Sequence, residues 1–529
     1  MQTVSTHSTE DSPIDLWRLG AIVGLIGVVG WFVFLLFSPP RIPSGDLICF
    51  KDPGINLAHG LGLVERISPT NPTITPQFHS NYPPLFPVLY GLYVSVFGAD
   101  PKSDEMFDFF WTASASLIFW FFVTPRYGDK RTLTSSMTLM ALLLLILPIG
   151  PFWTQRERPD TLGFAVMLAS LSMLRRKLTT ANIFLTSLIA GINFLISPYA
   201  FVTTCIVLTW LLLAGENGFS LRDFRGARFL KMVTAAVLGL AIPVVVFFLI
   251  FWMNDPNAIT RFASNVSGKS TQGQAGVGYF SSLLSGDFNH FFSAFTRYDS
   301  IRYKWMLAYL VTTIFVTTTS LFIRTHRSFG RVLWQALALL SVGTFPLLFF
   351  PYQPVYMSWT ATIMLVLWTR FQRTNQAQNK EQTGWILAGT FGMMVLVAFP
   401  YMVREFFIAY KSQPAYNEIR QIIKNIPATE NQVPLVVATY PSTYFFFKQA
   451  GFVVVDIAYL ARPAEIAKVD LFILHPVETG TPPSFPKGWN ATRFEPVFVP
   501  TIDSKTNLFG KTIYNRKSTW EVEIYRQRK

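Results

Sequence analysis

Two acidic residues and a short run of arginines carry most of the chemical potential of this chain. Asp46 lies nine residues beyond the first long apolar run, and Asp160 closes the segment Gln155-Arg156-Glu157-Arg158-Pro159-Asp160. A carboxylate beside a membrane cavity can take a proton from an acceptor hydroxyl. Guanidinium groups nearby can hold a phosphate and stabilise the charge it gains as a leaving group. Acid and arginine together are what group transfer from a lipid phosphate requires. Each residue also has a plainer use. Asp46 after Gly45 suits a turn or helix cap, Asp160 suits the first turn of a helix paired to Arg158, and Asp52 before Pro53 reads as a turn residue. Arg156 and Arg158 suit ion pairs with Glu157 and Asp160. His79 is either a phosphate partner or an ordinary polar surface group. Arg297 and Arg302 either grip a lipid phosphate or snorkel to headgroups. Tyr82, Phe86, Tyr90 and Tyr93 recur near helical spacing, which suits interfacial packing as well as a sugar platform.

The elements that must position these groups are membrane helices. The chain has 529 residues, 51% hydrophobic and only 14% charged, with a mean hydropathy of +0.35. Soluble domains carry charge on roughly a quarter of their residues. The apolar runs begin at Leu16–Phe37. They continue near Met106–Thr124, Thr132–Pro148, Asp160–Leu174, Thr180–Ile196, Tyr199–Ala214 and Phe229–Met253. The last four lie near Trp305–Ile323, Val332–Phe349, Val355–Trp368 and Trp385–Val403. That makes about eleven spans. Residues 39–105 form a long polar, aromatic first loop, within which Tyr82–Gly98 opens on Pro83-Pro84 and is expected to lie at the interface. A second large loop covers 254–304.

The net charge of +14 is concentrated in alternate short loops. Arg126, Lys130 and Arg131 form one cluster, Arg175–Lys177 a second, and Arg222, Arg225 and Arg228 a third; Arg324, Arg327, Arg331 and then Arg370 and Arg373 follow. The positive-inside rule places these clusters and residues 1–15 in the cytoplasm, and both large loops with residues 411–529 outside. The basic excess is therefore topological, and nucleic acid is not an expected partner. Residues 411–529 alternate strand-length apolar runs (Leu435–Ala438, Phe452–Asp456, Leu471–Leu474) with helical pieces (Tyr416–Ile426, Ser442–Ala450), which implies a small extracytoplasmic α/β domain. That domain has no Gly-rich phosphate loop. Cys49 and Cys205 stand in unrelated contexts, so neither a disulfide framework nor a Cys-ligated metal is expected. No internal repeat is visible, which disfavours a transporter, although a lipid or small-molecule carrier and a non-catalytic assembly partner are the other classes open to such a chain.

These residues resemble the GT-C superfamily of membrane glycosyltransferases, and within it the protein O-mannosyltransferase and aminoarabinose transferase branch. In that branch an acid follows the first span, with an aromatic residue and then a glycine at set distances beyond it; Asp46, Phe50 and Gly60 fall in this pattern. A Pro-Pro pair opens an interfacial helix, as Pro83-Pro84 does here. A second acid lies in the next outer loop, as does Asp160 in Arg158-Pro159-Asp160. Leu47 stands where the family often has another acid, and Tyr82 where the aminoarabinose branch has lysine. The turn Pro351–Pro354 lacks a basic residue found in relatives.

The resemblance implies an all-α polytopic fold over 16–403 with the α/β domain appended. It implies a polyprenyl-phosphate sugar donor and a lipid, glycan or protein acceptor. Asp46 would be the base and Asp160 its assistant or the orienter of the acceptor. Arg156 and Arg158 would hold phosphate, with His79, Tyr82, Arg297 and Arg302 as further binding candidates. No soluble nucleotide-sugar or metal site is implied, and a divalent metal is neither required nor excluded.

Overall fold

The computed structural model describes residues 47–68, 70–123, 158–173, 179–214, 226–271, 413–474, 493–498 and 522–528, together with isolated positions between them. Asp46, Arg156, Arg297 and Arg302 lie outside the described residues, as do most of the expected spans beyond residue 271.

Two short helices build the first loop. Helix α1 is Leu47–Ala58 and α2 is Leu85–Phe97. They cross at a backbone contact that only glycine allows. A Cβ on Gly54 would stand 2.3 Å from the Pro87 carbonyl oxygen, and one on Gly91 would stand 2.6 Å from the Gly54 oxygen. Helix α2 begins directly after Pro83-Pro84, as the sequence pattern predicts, and ends at Gly98, whose φ is 80°. Helix α3, Pro101–Val123, starts five residues before the expected span. Asp100 caps it, its Oδ1 accepting from the amides of Lys102 (2.8 Å) and Ser103 (3.0 Å). The charged first turn had made this stretch look like loop.

Behind α3 come α4 (Asp160–Met173), α5 (Thr180–Ile192), α6 (Pro198–Ala214) and α7 (Ala227–Asn254). All four fall on expected spans. Within α7, Phe229–Asn254 is the one helix among the described residues long and apolar enough to cross a membrane. Only 22% of its apolar window is buried within protein, and residues such as Leu230, Val237, Trp252 and Met253 are exposed. Such a surface suits a helix facing lipid. After a corner at Asp255, helix α8 (Ala258–Thr271) folds back and lays Ala258, Ile259 and Phe262 on Phe247 and Phe251. This helix lies within the segment 254–304 that the sequence predicts as a loop.

The C-terminal unit is a mixed five-stranded sheet. Its strands are β1 (Val436–Thr439), β2 (Val453–Asp456), β3 (Leu471–Leu474), β4 (Phe494–Phe498) and β5 (Glu523–Gln527), in the order β2-β1-β3-β5-β4. The first three are parallel, and β5 runs antiparallel to both β3 and β4. Helix α9 spans 413–425, and α10, Pro441–Gln449, connects β1 to β2. Eight consecutive residues of α10, Pro441–Lys448, are buried. A helix buried all round has partners on both sides. Here they are the sheet and the first loop, since Tyr444–Phe447 share one apolar core with Leu47–Phe50, Phe86, Tyr90 and Phe107.

Candidate functional site

The site is built where α1 meets the start of α4. Pro159 and Asp160 open α4, and the Asp160 side chain is 3% exposed. Both of its oxygens are engaged. Arg158 donates Nε to Oδ2 at 2.7 Å, and Ser197 donates its hydroxyl to Oδ1 at 2.9 Å. Ser197 sits just before α6, where its Oγ also accepts from the amide of Ala200 at 3.4 Å. Gly163 makes room for this, since a Cβ there would lie 2.8 Å from the Ala200 Cβ and 3.2 Å from that of Ser197.

Arg158 reaches from this acid towards α1. Its guanidinium carbon lies 5.3 Å from the centroid of Phe50, in the first turn of α1. The opposite flank of the site is Tyr82, whose ring meets Phe50 edge-on at 4.7 Å. The result is a continuous series, Ser197–Asp160–Arg158–Phe50–Tyr82, linking four segments of chain. An arginine held by a carboxylate and laid against an aromatic ring has a fixed plane and a restricted rotamer. The ion pair of Arg158 with Asp160 is the one the sequence spacing suggests; the seat on Phe50 is not legible from spacing alone.

The other sequence-derived site residues divide. Tyr82 joins the series. His79 is fully buried in a separate cluster, its Nδ1 2.7 Å from Glu65 Oε2, while its Nε2 has no hydrogen-bond partner among the described residues. This corrects the surface reading of His79. Burial raises the Glu65 carboxyl. The charge of His79 and hydrogen bonds from His79, Thr70 and Ser68 outweigh that effect and hold it below its usual value. The adjoining segment 78–80 is tied to the α7–α8 corner by Arg261, which donates to Ser80 Oγ (3.2 Å), the Phe78 carbonyl (3.3 Å) and Asp255 (2.7 Å).

Two charged clusters escaped the sequence reading. Lys51, fully buried, donates to Asp104 at 2.6 Å and to both oxygens of Asp108 at 3.0 Å. Its ammonium lies 5.0 Å from the centroid of Tyr90 and 5.6 Å from that of Phe107. Asp52 is not a turn residue but a buried helical acid, accepting from Asn56 Nδ2 (2.8 Å), Lys448 Nζ (2.8 Å) and the Tyr444 hydroxyl. The signal for Lys51 was present, a lysine inside the run Leu47-Ile48-Cys49-Phe50 and its continuation, with Asp104 and Asp108 one helical turn apart on α3.

The fold itself has a solved counterpart. ArnT from Cupriavidus metallidurans, in a crystal structure bound to undecaprenyl phosphate, superposes with a TM-score of 0.53 over 96% of this chain and 97% of that one, at 12% sequence identity. The chain has the GT-C fold. No protein-family model and no curated protein matches the sequence, so the relation to ArnT, a GT-C aminoarabinose transferase, is carried by architecture.

Proposed function

We propose that this chain is a membrane glycosyltransferase that moves a sugar from a polyprenyl-phosphate donor to a hydroxyl acceptor outside the cytoplasm. The observation that carries the reading is the seat of Arg158 on Phe50. It joins the segment bearing the arginines to the first turn of α1, which begins one residue after Asp46. In this reading base and phosphate grip are expected to belong to one locality. The GT-C fold supports the reaction class, and the undecaprenyl phosphate held by ArnT supports a polyprenyl phosphate as the lipid partner.

In this reading Asp46 removes the proton from the acceptor hydroxyl. That oxygen attacks the anomeric carbon from the face opposite the phosphate, the carbon–oxygen bond to phosphate breaks, and the configuration inverts. Polyprenyl phosphate departs with the bonding pair, and Arg158, assisted by Arg156, stabilises its charge. Asp160 has both oxygens occupied, so its part is to hold Arg158 and orient the acceptor, leaving proton removal to Asp46. Tyr82 and Phe50 wall the site. Arg297 and Arg302 are secondary binding candidates, and His79, buried against Glu65, is not. The N-terminus is cytoplasmic and the sheet domain extracytoplasmic, from the alternation of basic loops.

Transfer from a radiolabelled polyprenyl-phosphate sugar tests this. Asp46→Asn is expected to lower turnover by about 10²–10⁴-fold while retaining binding of undecaprenyl phosphate. Parental turnover in that variant would return Asp46 to a capping role. Arg158→Ala is expected to weaken donor binding, and unchanged affinity would reduce Arg158 to a structural ion pair.

A further inference from the structure

Phe50, Lys51 and Asp52 are consecutive on α1, so their side chains leave the helix about 100° apart. Each meets a different partner. Phe50 faces Arg158, Lys51 faces the aspartates of α3, and Asp52 faces helix α10 of the C-terminal domain. At the third face Asp52 is 3% exposed and Asn56 fully buried. Lys448 Nζ bridges them, at 2.8 Å to Asp52 Oδ1 and 2.7 Å to Asn56 Oδ1, and the Tyr444 hydroxyl donates to the same Asp52 oxygen. Burial and the Asp52 charge push the Tyr444 phenol well above its ordinary value, so it remains a donor throughout the working range of pH.

A buried ion pair is a poor way to add stability, because desolvation of both charges offsets their attraction. Apolar packing already joins these elements through Phe445, Phe446 and Phe447. What the polar group adds is direction. Apolar surfaces tolerate small slides and rotations, whereas two acceptors and a shared ammonium are satisfied at one rotation and one axial setting of α1 against α10.

We propose that Lys448 and Tyr444 are positioning residues for sugar transfer: through Asp52 and Asn56, the C-terminal domain sets the rotation of the helix that seats Arg158 on Phe50 and begins next to Asp46. This rests on the glycosyltransferase reading above. Side chains end about 5–6 Å from a helix axis, so a rotation of about 10° moves a side-chain tip by about 1 Å. A misplacement of that size costs on the order of 100-fold in rate. The C-terminal domain thus acts on the chemistry from the far side of α1.

Full-length protein carrying Lys448→Met, Lys448→Arg or Tyr444→Phe tests this. Turnover, donor KM, undecaprenyl phosphate binding, thermal unfolding and amide hydrogen exchange would be measured. Lys448→Met is expected to lower kcat by about 10–100-fold with KM and lipid binding within about twofold, and to speed exchange in 47–58 selectively. Lys448→Arg should recover most of the rate, and Tyr444→Phe, which removes one hydroxyl, should lose several-fold. Unchanged kcat in Lys448→Met overturns the proposal, as does a loss in all three variants that tracks the folded fraction. The underlying reading fails separately, by parental turnover in Asp46→Asn or by absence of any transfer. In that event exchange decides alone: selective loosening of 47–58 keeps the helix-setting role, and unchanged exchange removes it.

Discussion

Two buried charge clusters touch neighbouring residues of α1 and differ in kind. Around Lys51, one ammonium is enclosed by two carboxylates from successive turns of α3 and lies near the rings of Tyr90 and Phe107. Around Arg158, one guanidinium is held by one carboxylate, which is itself held by a serine, and the flat group lies against Phe50 with 13% of its side chain exposed. The first cluster is a closed tie between the first loop and α3. The second is a charged group, partly exposed, oriented by one acid and one ring. Burial of charge alone therefore does not mark a site; what separates the two is the geometry of the cation and whether solvent reaches it.

The largest test of the contrast is to break the closed cluster. Lys51→Met removes the ammonium that ion-pairs with Asp104 and Asp108 on α3. Breaking such a pair from one side costs about 3–5 kcal/mol. The variant is expected to unfold at markedly lower denaturant or temperature, and its remaining folded fraction should keep the parental KM for donor. A loss of donor affinity with intact stability would instead place Lys51 in the site.

How much of this was readable beforehand follows from separation along the chain. Arg158 and Asp160 lie two residues apart, so their pairing was visible in the sequence, and the expected spans from Asp160 to Met253 coincide with α4 to α7. Strands at 436–439, 453–456 and 471–474 were legible from short β-branched runs between turn signals. Asp52 was misread because a residue before proline usually leaves the helical region. Here Pro53 lies inside α1, which is held by the Gly54–Gly91 crossing and by side-chain ties on several faces. The partners of Lys51 lie 53 and 57 residues away, and those of Asp52 on α10 lie 392 and 396 away. No periodicity reports such contacts, because periodicity reports which face is buried and not against what. Helix α8 was missed for another reason: its polar face outweighed the sparse apolar stripe of Ala258, Ile259 and Phe262.

A smaller effect is expected from crowding the helix crossing that both clusters share. Gly54→Ala would bring a methyl group against the Pro87 carbonyl oxygen and the Gly91 amide, both backbone atoms that cannot rotate away. Overpacking of this kind costs about 1–3 kcal/mol. Because α1 would shift against α2 as a unit, both the Lys51 tie and the Phe50 seat should loosen together. Thermal unfolding and turnover should therefore fall in the same variant, unlike Lys51→Met, where stability leads. A fall in stability with kcat unchanged would show that the seat of Arg158 does not depend on this crossing.

The finest distinction is at Ser197. Removing its hydroxyl leaves the Asp160–Arg158 pair in place but takes away the donor on Asp160 Oδ1 and the acceptor for the Ala200 amide. A single hydrogen bond to a charged group contributes about 1.5–3 kcal/mol when intact, yet the Asp160 carboxylate keeps its arginine and the α6 amide lies near a helix start that tolerates a weak cap. Ser197→Ala is therefore expected to cost only about 1 kcal/mol in stability. Its informative effect is kinetic. If Asp160 acts by holding Arg158 in plane, a carboxylate that has lost the Ser197 donor lets the guanidinium swing over Phe50, and kcat should fall several-fold while binding of undecaprenyl phosphate changes little. If Asp160 instead removes the proton, loss of a hydroxyl that competes for Oδ1 does not slow the transfer, and the rate should hold or rise. The sign of the change in kcat thus separates an orienting acid from a proton-accepting one, with a substitution too mild to disturb the closed cluster around Lys51.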